Sequence, residues 1–260
     1  MNKDKYIKPT QITDELYCIG ISGAPAHMLT TSDGIVLIDA GCPQTFEVLR
    51  LNMELLGFDI RDVRHIVHTH AHSDHVGATK QIVAVSGAKT YISEPDADAA
   101  RGKNDLCWNG ALNKEYFNAI EPDVIIKDGD VLKFGDTEIR CVYTPGHTVG
   151  TISLFFNVHH NGKEYLAGMF GGAGHNTLTP EYLERTGIDE SVRYVYLKSI
   201  DRIIDEPVEV HIGNHHADNS HTSKMERKTA DYNPFVEENT WREFLLRKRN
   251  TLIDLYGLKV

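Results

Sequence analysis

Short apolar runs punctuated by turn residues open the chain. Leu16 to Ile19, Met28 to Thr31 and Ile35 to Ile38 are rich in β-branched and apolar residues and are separated by Gly, Pro and Asp, which predicts an antiparallel sheet. Phe46, Leu49, Met53 and Leu56 then recur at helical spacing, with Gly57 as the stop. Val63 to Val67, Val76 to Val85 and Lys89 to Ile92 read as strand, helix and strand, the helix closed by Gly87. Strands return at Val124 to Ile126, Val131 to Phe134, Glu138 to Tyr143 and Thr151 to Phe156. Asn161-Gly162 forms a hairpin turn before a further strand over Tyr165 to Met169. Tyr182 to Ile204 carries one helical pattern stopped by Pro207, Val208 to Ile212 is a last strand, and Trp241 to Tyr256 is a charged amphipathic helix. Each half carries strands followed by helix, which predicts two sheets packed face to face with helices outside. No repeat and no Pro-, Gly- or Ser-rich linker divides the chain, so residues 1–260 are expected to form a single domain.

Composition narrows the partners. At 260 residues and 41% hydrophobic content the chain is long enough to bury a large core. A net charge of -10 disfavours a nucleic acid, whose phosphates need clustered Lys and Arg, and leaves a small molecule as the expected substrate. The first ten residues lack the apolar core of a secretory signal, and no run reaches the roughly 18 apolar residues of a membrane span. The expected location is therefore cytoplasmic. Cys18, Cys42, Cys107 and Cys141 are widely spaced and read as reduced thiols, with a nucleophilic Cys42 as the weaker alternative.

The densest chemistry lies directly after the strand Val63 to Val67, in His68-Thr-His70-Ala-His72-Ser-Asp74-His75. Neutral imidazoles and a carboxylate are zinc ligands. In a bend after a strand, His70 and His72 can face one ion while Asp74 and His75 face a second. Four ligands do not complete two sites. His147, in the Pro-Gly turn of Thr-Pro-Gly-His147-Thr, is the best further candidate, and His215, at the end of the last strand, is next. Of the others, His211 is expected inside a strand as a core residue, and His159 and His160 at a solvated hairpin tip. His216 and His221 are expected in an exposed polar loop that could line an entrance. His65 reads as structural, and His27 and His175 stay ambiguous.

The pattern His70-x-His72-x-Asp74-His75, then Gly-His147-Thr, then a late His215, resembles the metallo-β-lactamase superfamily. Thr31-Ser-Asp-Gly-Ile-Val-Leu-Ile-Asp39-Ala-Gly and Val131-Leu-Lys-Phe-Gly-Asp extend the resemblance over nearly the whole chain. It implies an α/β fold, a four-layer αββα sandwich with metals at one edge. It also implies a first Zn2+ on His70, His72 and His147, a second on Asp74, His75 and His215, and Asp39 as a carboxylate that orients a ligand histidine. The implied function is a zinc-dependent hydrolase in which metal-bound hydroxide attacks a lactam, lactone, ester or thioester carbonyl, with Asp74 as the catalytic carboxylate that orients it.

The chain departs from many members of the family at Leu166-Ala-Gly-Met169-Phe-Gly-Gly, where no metal-bridging Asp is present. In this it is similar to the histidine-rich, Asp-His-His subclass of metallo-β-lactamases, and weaker or partial occupancy of the second site is expected. His72 stands where iron-binding flavodiiron members carry Glu. Two other readings remain open, a non-catalytic metal-binding or sensing protein and an iron-dependent sulfur dioxygenase. Gly168 to Gly174 lacks the features of a phosphate loop and reads as a mobile loop at the metal edge, with Gly171 and Gly172 N–H groups as candidate substrate contacts. Asn104 to Phe117, with Trp108, Tyr116 and Phe117, is a candidate entrance wall.

Overall fold

Strand alternation decides the layers. A computed structural model describes residues 6–107 and 119–260. The strands β1 (Thr10–Gln11), β2 (Leu16–Ile19), β3 (Ala26–Thr31), β4 (Gly34–Ile38), β5 (Val63–Val67), β6 (Lys89–Ser93) and β7 (Val124–Ile126) form one sheet in that order. A second sheet, in the order β12-β11-β10-β9-β8, holds β8 (Val131–Phe134), β9 (Thr137–Tyr143), β10 (Ile152–His160), β11 (Lys163–Met169) and β12 (Val210–His211). Along β2, Leu16 and Cys18 enter the core between the sheets while Tyr17 and Ile19 face outward. Along β4, Val36 and Ile38 face in while Ile35 and Leu37 face out. Both faces of β2 and β4 are therefore buried, and successive side chains serve different layers.

Helices cover both outer faces. Leu49 and Met53 of α1 (Phe46–Leu55) pack on the first sheet with Ile82, which lies on α3 (Thr79–Ser86), the helix that follows the short α2 (Ser73–Val76). After α4 (Ala97–Ala100) and α5 (Pro180–Thr186), the second sheet is covered by α6 (Val192–Ile203) and, beyond α7 (His221–Arg227), by α8 (Thr240–Tyr256). Trp241 of α8 is 1% exposed and donates its indole N–H to the Ile203 carbonyl at 2.9 Å, which pins α8 to α6. The result is the expected αββα sandwich.

Several expected elements differ; the strand expected over Thr151 to Phe156 runs on to His160 as β10. The helix expected over Val76 to Val85 is instead α2 and α3, and it begins earlier, inside the histidine motif. Gly77 marks the break because a Cβ there would lie 2.3 Å from Pro43 Cδ, so only glycine lets the two segments pass. The helix expected over Tyr182 to Ile204 is split into α5 and α6 by Gly187, whose φ of 70° ends the first of them. The last strand shortens to β12, which pairs parallel with β11.

The site edge follows from topology. Strands β4, β5 and β6 are parallel, so their C-terminal ends emerge together. The turn between β9 and β10 meets them there, where Ile152 N–H donates to the Thr69 carbonyl at 2.9 Å. Among the described residues, no helix is long and apolar enough to cross a membrane.

Candidate metal centre

The six sequence-predicted ligands converge in two triads. One ligand atom each from His70, His72 and His147 lies within 4.8 Å of the other two, and the same holds for Asp74, His75 and His215. The His70 and His75 rings, 4.1 Å apart, join the triads into one centre. His70 leaves the end of β5 by a bend, and Asp74 and His75 sit on α2, so that one short peptide serves both groups. His147 arrives from the β9–β10 turn. Its Nδ1–H donates to the Gly174 carbonyl at 2.8 Å, which turns Nε2 inward, 3.0 Å from His72 Nδ1. His215 donates its Nδ1–H to the Gly23 carbonyl, which likewise leaves Nε2 for the centre.

Asp39 sets two of these rings. It follows β4 in a left-handed conformation, φ 62°, that aims its carboxylate under the motif. Asp39 Oδ2 accepts from His75 Nδ1–H at 2.7 Å, and its two oxygens accept from the Thr69 backbone N–H and the Thr69 hydroxyl, both at 2.8 Å. With its proton given to Asp39, the Thr69 hydroxyl accepts from His70 Nδ1–H at 3.0 Å. The tautomers of His70 and His75 are thereby assigned with Nε2 facing the centre. Both Nε2 atoms are buried and lack a hydrogen-bond partner, which fits a cation between them.

The electrostatics agree with a cation's presence. Burial, and then crowding by neighbouring imidazoles, holds His70 and His147 well below the ordinary range, and both are neutral donors at pH 7. Burial opposes charge on His75, but Asp74 and Asp39 outweigh it and raise this ring to about 9. At pH 7 this ring therefore carries a second proton, which a cation binding there would have to displace. Burial alone would raise Asp74; His75, His72 and His215 overcome it and hold the carboxyl at about 2. With 38% of its side chain exposed, Asp74 is the carboxylate of the two triads that faces solvent.

Asp96 escaped the sequence reading. Its buried carboxylate accepts from Ala71 N–H at 2.9 Å, Thr148 Oγ1–H at 2.7 Å and Gly150 N–H at 2.7 Å, tying the His70 loop to the His147 loop. The available signal was its place just beyond the strand at Lys89 to Ile92, the same kind of position that Asp39 occupies after Ile35 to Ile38. The glycine run is a close-packed cradle, not a loose loop. A Cβ at Gly171 would lie 1.9 Å from the Ile152 carbonyl oxygen, and one at Gly172 would lie 2.6 Å from His147 Cβ. Gly171 also accepts at its carbonyl from the Asn214 side chain. Met169, at the end of β11, turns into the core between the sheets, and no carboxylate from this strand reaches the centre.

The remaining histidines sort by burial. His211 packs against Trp241 and Phe244 in the core, and His159 is 57% exposed at its side chain, both as expected. His65 bonds the Tyr91 hydroxyl at 3.0 Å, a structural role. The expectation of an exposed loop fails for His216 and His221, which are 6% and 1% exposed, because the loop after His215 folds inward before α7. No disulfide joins Cys18, Cys42, Cys107 or Cys141. The expected wall residues Trp108, Tyr116 and Phe117 lie outside the described residues.

A family model described as Metallo-beta-lactamase superfamily matches residues 20–215. The chain belongs to this superfamily. An uncharacterized protein of Aquifex aeolicus is 38% identical over 93 residues, covering 35% of this chain and 42% of that protein. A hydroxyacylglutathione hydrolase of Francisella tularensis subsp. novicida is 32% identical over 92 residues, 35% of this chain and 28% of that enzyme. The chain spans about half the length of the first of its curated relatives. Among solved structures, BJP-1, a subclass B3 metallo-beta-lactamase of Bradyrhizobium japonicum, superposes with a TM-score of 0.87 at 23% identity, over 96% of this chain and 94% of that one. At that identity the likeness is one of fold.

For this superfamily member, exchange of Asp39 for Ala should lower metal affinity or turnover about 10- to 100-fold, as loss of an orienting partner does. Titration with zinc against a competing chelator measures it, and unchanged affinity and turnover would reduce Asp39 to a turn residue.

Proposed function

We propose that this chain is a metal-dependent hydrolase of small acyl compounds, with paired zinc ions held by the triads His70, His72, His147 and Asp74, His75, His215. The observation that carries the reading is the pair of buried Nε2 atoms of His70 and His75 that lack a hydrogen-bond partner, each converging with two further ligand atoms. When bound, such ions supply Lewis acidity and a water acidified to near neutrality. The chain's own residues do the rest. Asp39 and Thr69 fix the rings, Asp96 holds the two ligand loops in register, and the Gly174 carbonyl orients His147. Asp74, the solvent-facing carboxylate, orients the attacking water and takes its proton at a carboxylate oxygen. With no carboxylate from β11, nothing from that strand neutralises a second cation, which supports weaker binding at the Asp74 triad.

The hydroxyacylglutathione hydrolases among its relatives favour a thioester carbonyl as the bond attacked. The same reading takes residues 1–260 as one domain, supported by a core between the sheets that draws on both halves of the chain. It also takes the location as cytoplasmic, supported by four cysteines without a disulfide. The test combines elemental analysis of protein prepared without added metal with turnover of nitrocefin, small lactones and acyl thioesters. Zinc in both triads with thioester cleavage is expected. One iron would instead indicate a dioxygenase, and bound zinc without turnover of any substrate would indicate a sensing protein.

A further inference from the structure

His216 and His221 lie outside both triads, yet they close on a third partner. Cys18 on β2 is 2% exposed, and one ligand atom from each of Cys18, His216 and His221 lies within 4.8 Å of the other two. Cys18 Sγ stands 3.5 Å from His216 Nε2. A tetrahedral ion with bonds of about 2.3 Å to sulfur and 2.0 to 2.1 Å to nitrogen would hold those two atoms about 3.5 Å apart. The His216 and His221 rings lie 4.2 Å apart, and His221 Nε2 is buried without a hydrogen-bond partner. A buried polar atom left unpaired calls for an explanation, and a cation between His221 Nε2, His216 Nε2 and Cys18 Sγ supplies one.

The backbone brings these side chains together from distant positions. Ser220, at φ 56°, turns the chain sharply into α7, which starts with His221. His221 N–H donates to the His216 carbonyl at 3.1 Å, and the Asn219 side chain donates to the His211 carbonyl at 3.2 Å. These bonds fold the loop inward. Cys18 is paired in register with His27 of β3, and register partners project to the same face with Cβ atoms about 4.5 to 5.5 Å apart. His27 is 1% exposed, and neither of its ring nitrogens has a partner.

We propose that Cys18, His216 and His221 form a separate structural site for a thiophilic divalent cation, zinc in the first instance, with the neighbouring His27 walling it off on the β3 side. A buried set of one thiolate and two imidazoles suits a structural ion, whereas the Asp74 triad keeps a solvent-facing side. Burial keeps His221 neutral, as a ligand must be, and pushes the Cys18 thiol up; the metal displaces that proton to solvent. The site's place in the chain gives it a role. It clamps the loop one residue beyond His215 and so steadies a ligand of the Asp74 triad.

Cobalt(II) substitution tests this independently of hydrolysis. The two hydrolytic triads contain no sulfur, so a thiolate-to-cobalt charge-transfer band in the near ultraviolet can arise only from a cysteine ligand. The full-length protein loaded with cobalt should show this band, Cys18→Ser should abolish it, and Cys42→Ser should keep it. Elemental analysis should count one zinc fewer per chain in His221→Gln than in the parent. Absence of the band in the parent protein, or its persistence in Cys18→Ser, would overturn the proposal even if a variant failed to fold. Failure of the hydrolytic centre reads differently, as a surviving thiolate band with loss of the remaining metal.

Discussion

Exchange of Asp74 for Asn is expected to lower kcat by about 10²- to 10⁴-fold, the usual contribution of a positioned proton acceptor, while the circular dichroism spectrum and melting temperature stay near those of the parent. Asp74 sits on the short helix α2, makes no contact that holds the sheets together, and faces solvent over 38% of its side chain. The amide keeps the shape and an oxygen that can still approach a cation, but it neither carries charge nor accepts a proton at pH 7. Metal content should be measured alongside turnover, so that a catalytic loss is separated from an emptied second triad. Unchanged kcat with both metals bound would remove Asp74 from the reaction.

Stripping the protein with a chelator such as dipicolinate should abolish turnover and lower the melting temperature, and both should return on adding zinc. An ion present at a thousand times its dissociation constant stabilises the folded state by about 4 kcal/mol, and in a chain of this size that is on the order of 10 °C per ion. The apoprotein also keeps the buried Nε2 atom of His70 without a hydrogen-bond partner, a cost that the metal removes. A melting temperature and turnover indifferent to the chelator would defeat the metallohydrolase reading. Partial recovery of the transition with one equivalent of zinc would match a tighter His70 triad and a weaker Asp74 triad.

Much of this centre was legible before any coordinates. The spacing His-x-His-x-Asp-His after a strand places four donors on one bend, because a strand that ends in a turn has only one direction in which to present them. The Pro-Gly turn before His147 and the strand end before His215 marked the other two candidate ligands for the same reason. The layers were also legible, since strands β2 and β4 alternate two sets of apolar residues and so must be covered on both faces.

Other features depended on neighbours that local sequence does not reveal. Asp96 reads as one acidic residue among several in Glu94-Pro-Asp-Ala-Asp98; only the folded chain brings Ala71, Thr148 and Gly150 around it. The glycine run looked loose because composition reports freedom, whereas packing against Ile152, Thr69 and His147 removes it. His216 and His221 looked solvated because a polar loop usually is, yet Cys18 lies 198 residues earlier and meets His216 only through the sheet.

The amino-acid order alone determined the donors, the strand ends that present them and the double-sheet layering, since periodicity and turn chemistry act over a few residues. Tertiary structure decided which carboxylates brace the ligand loops, which glycines are pinned, and which buried imidazoles meet a cysteine. Those outcomes rest on contacts between segments far apart in the chain, and burial changes what each group costs when left unpaired.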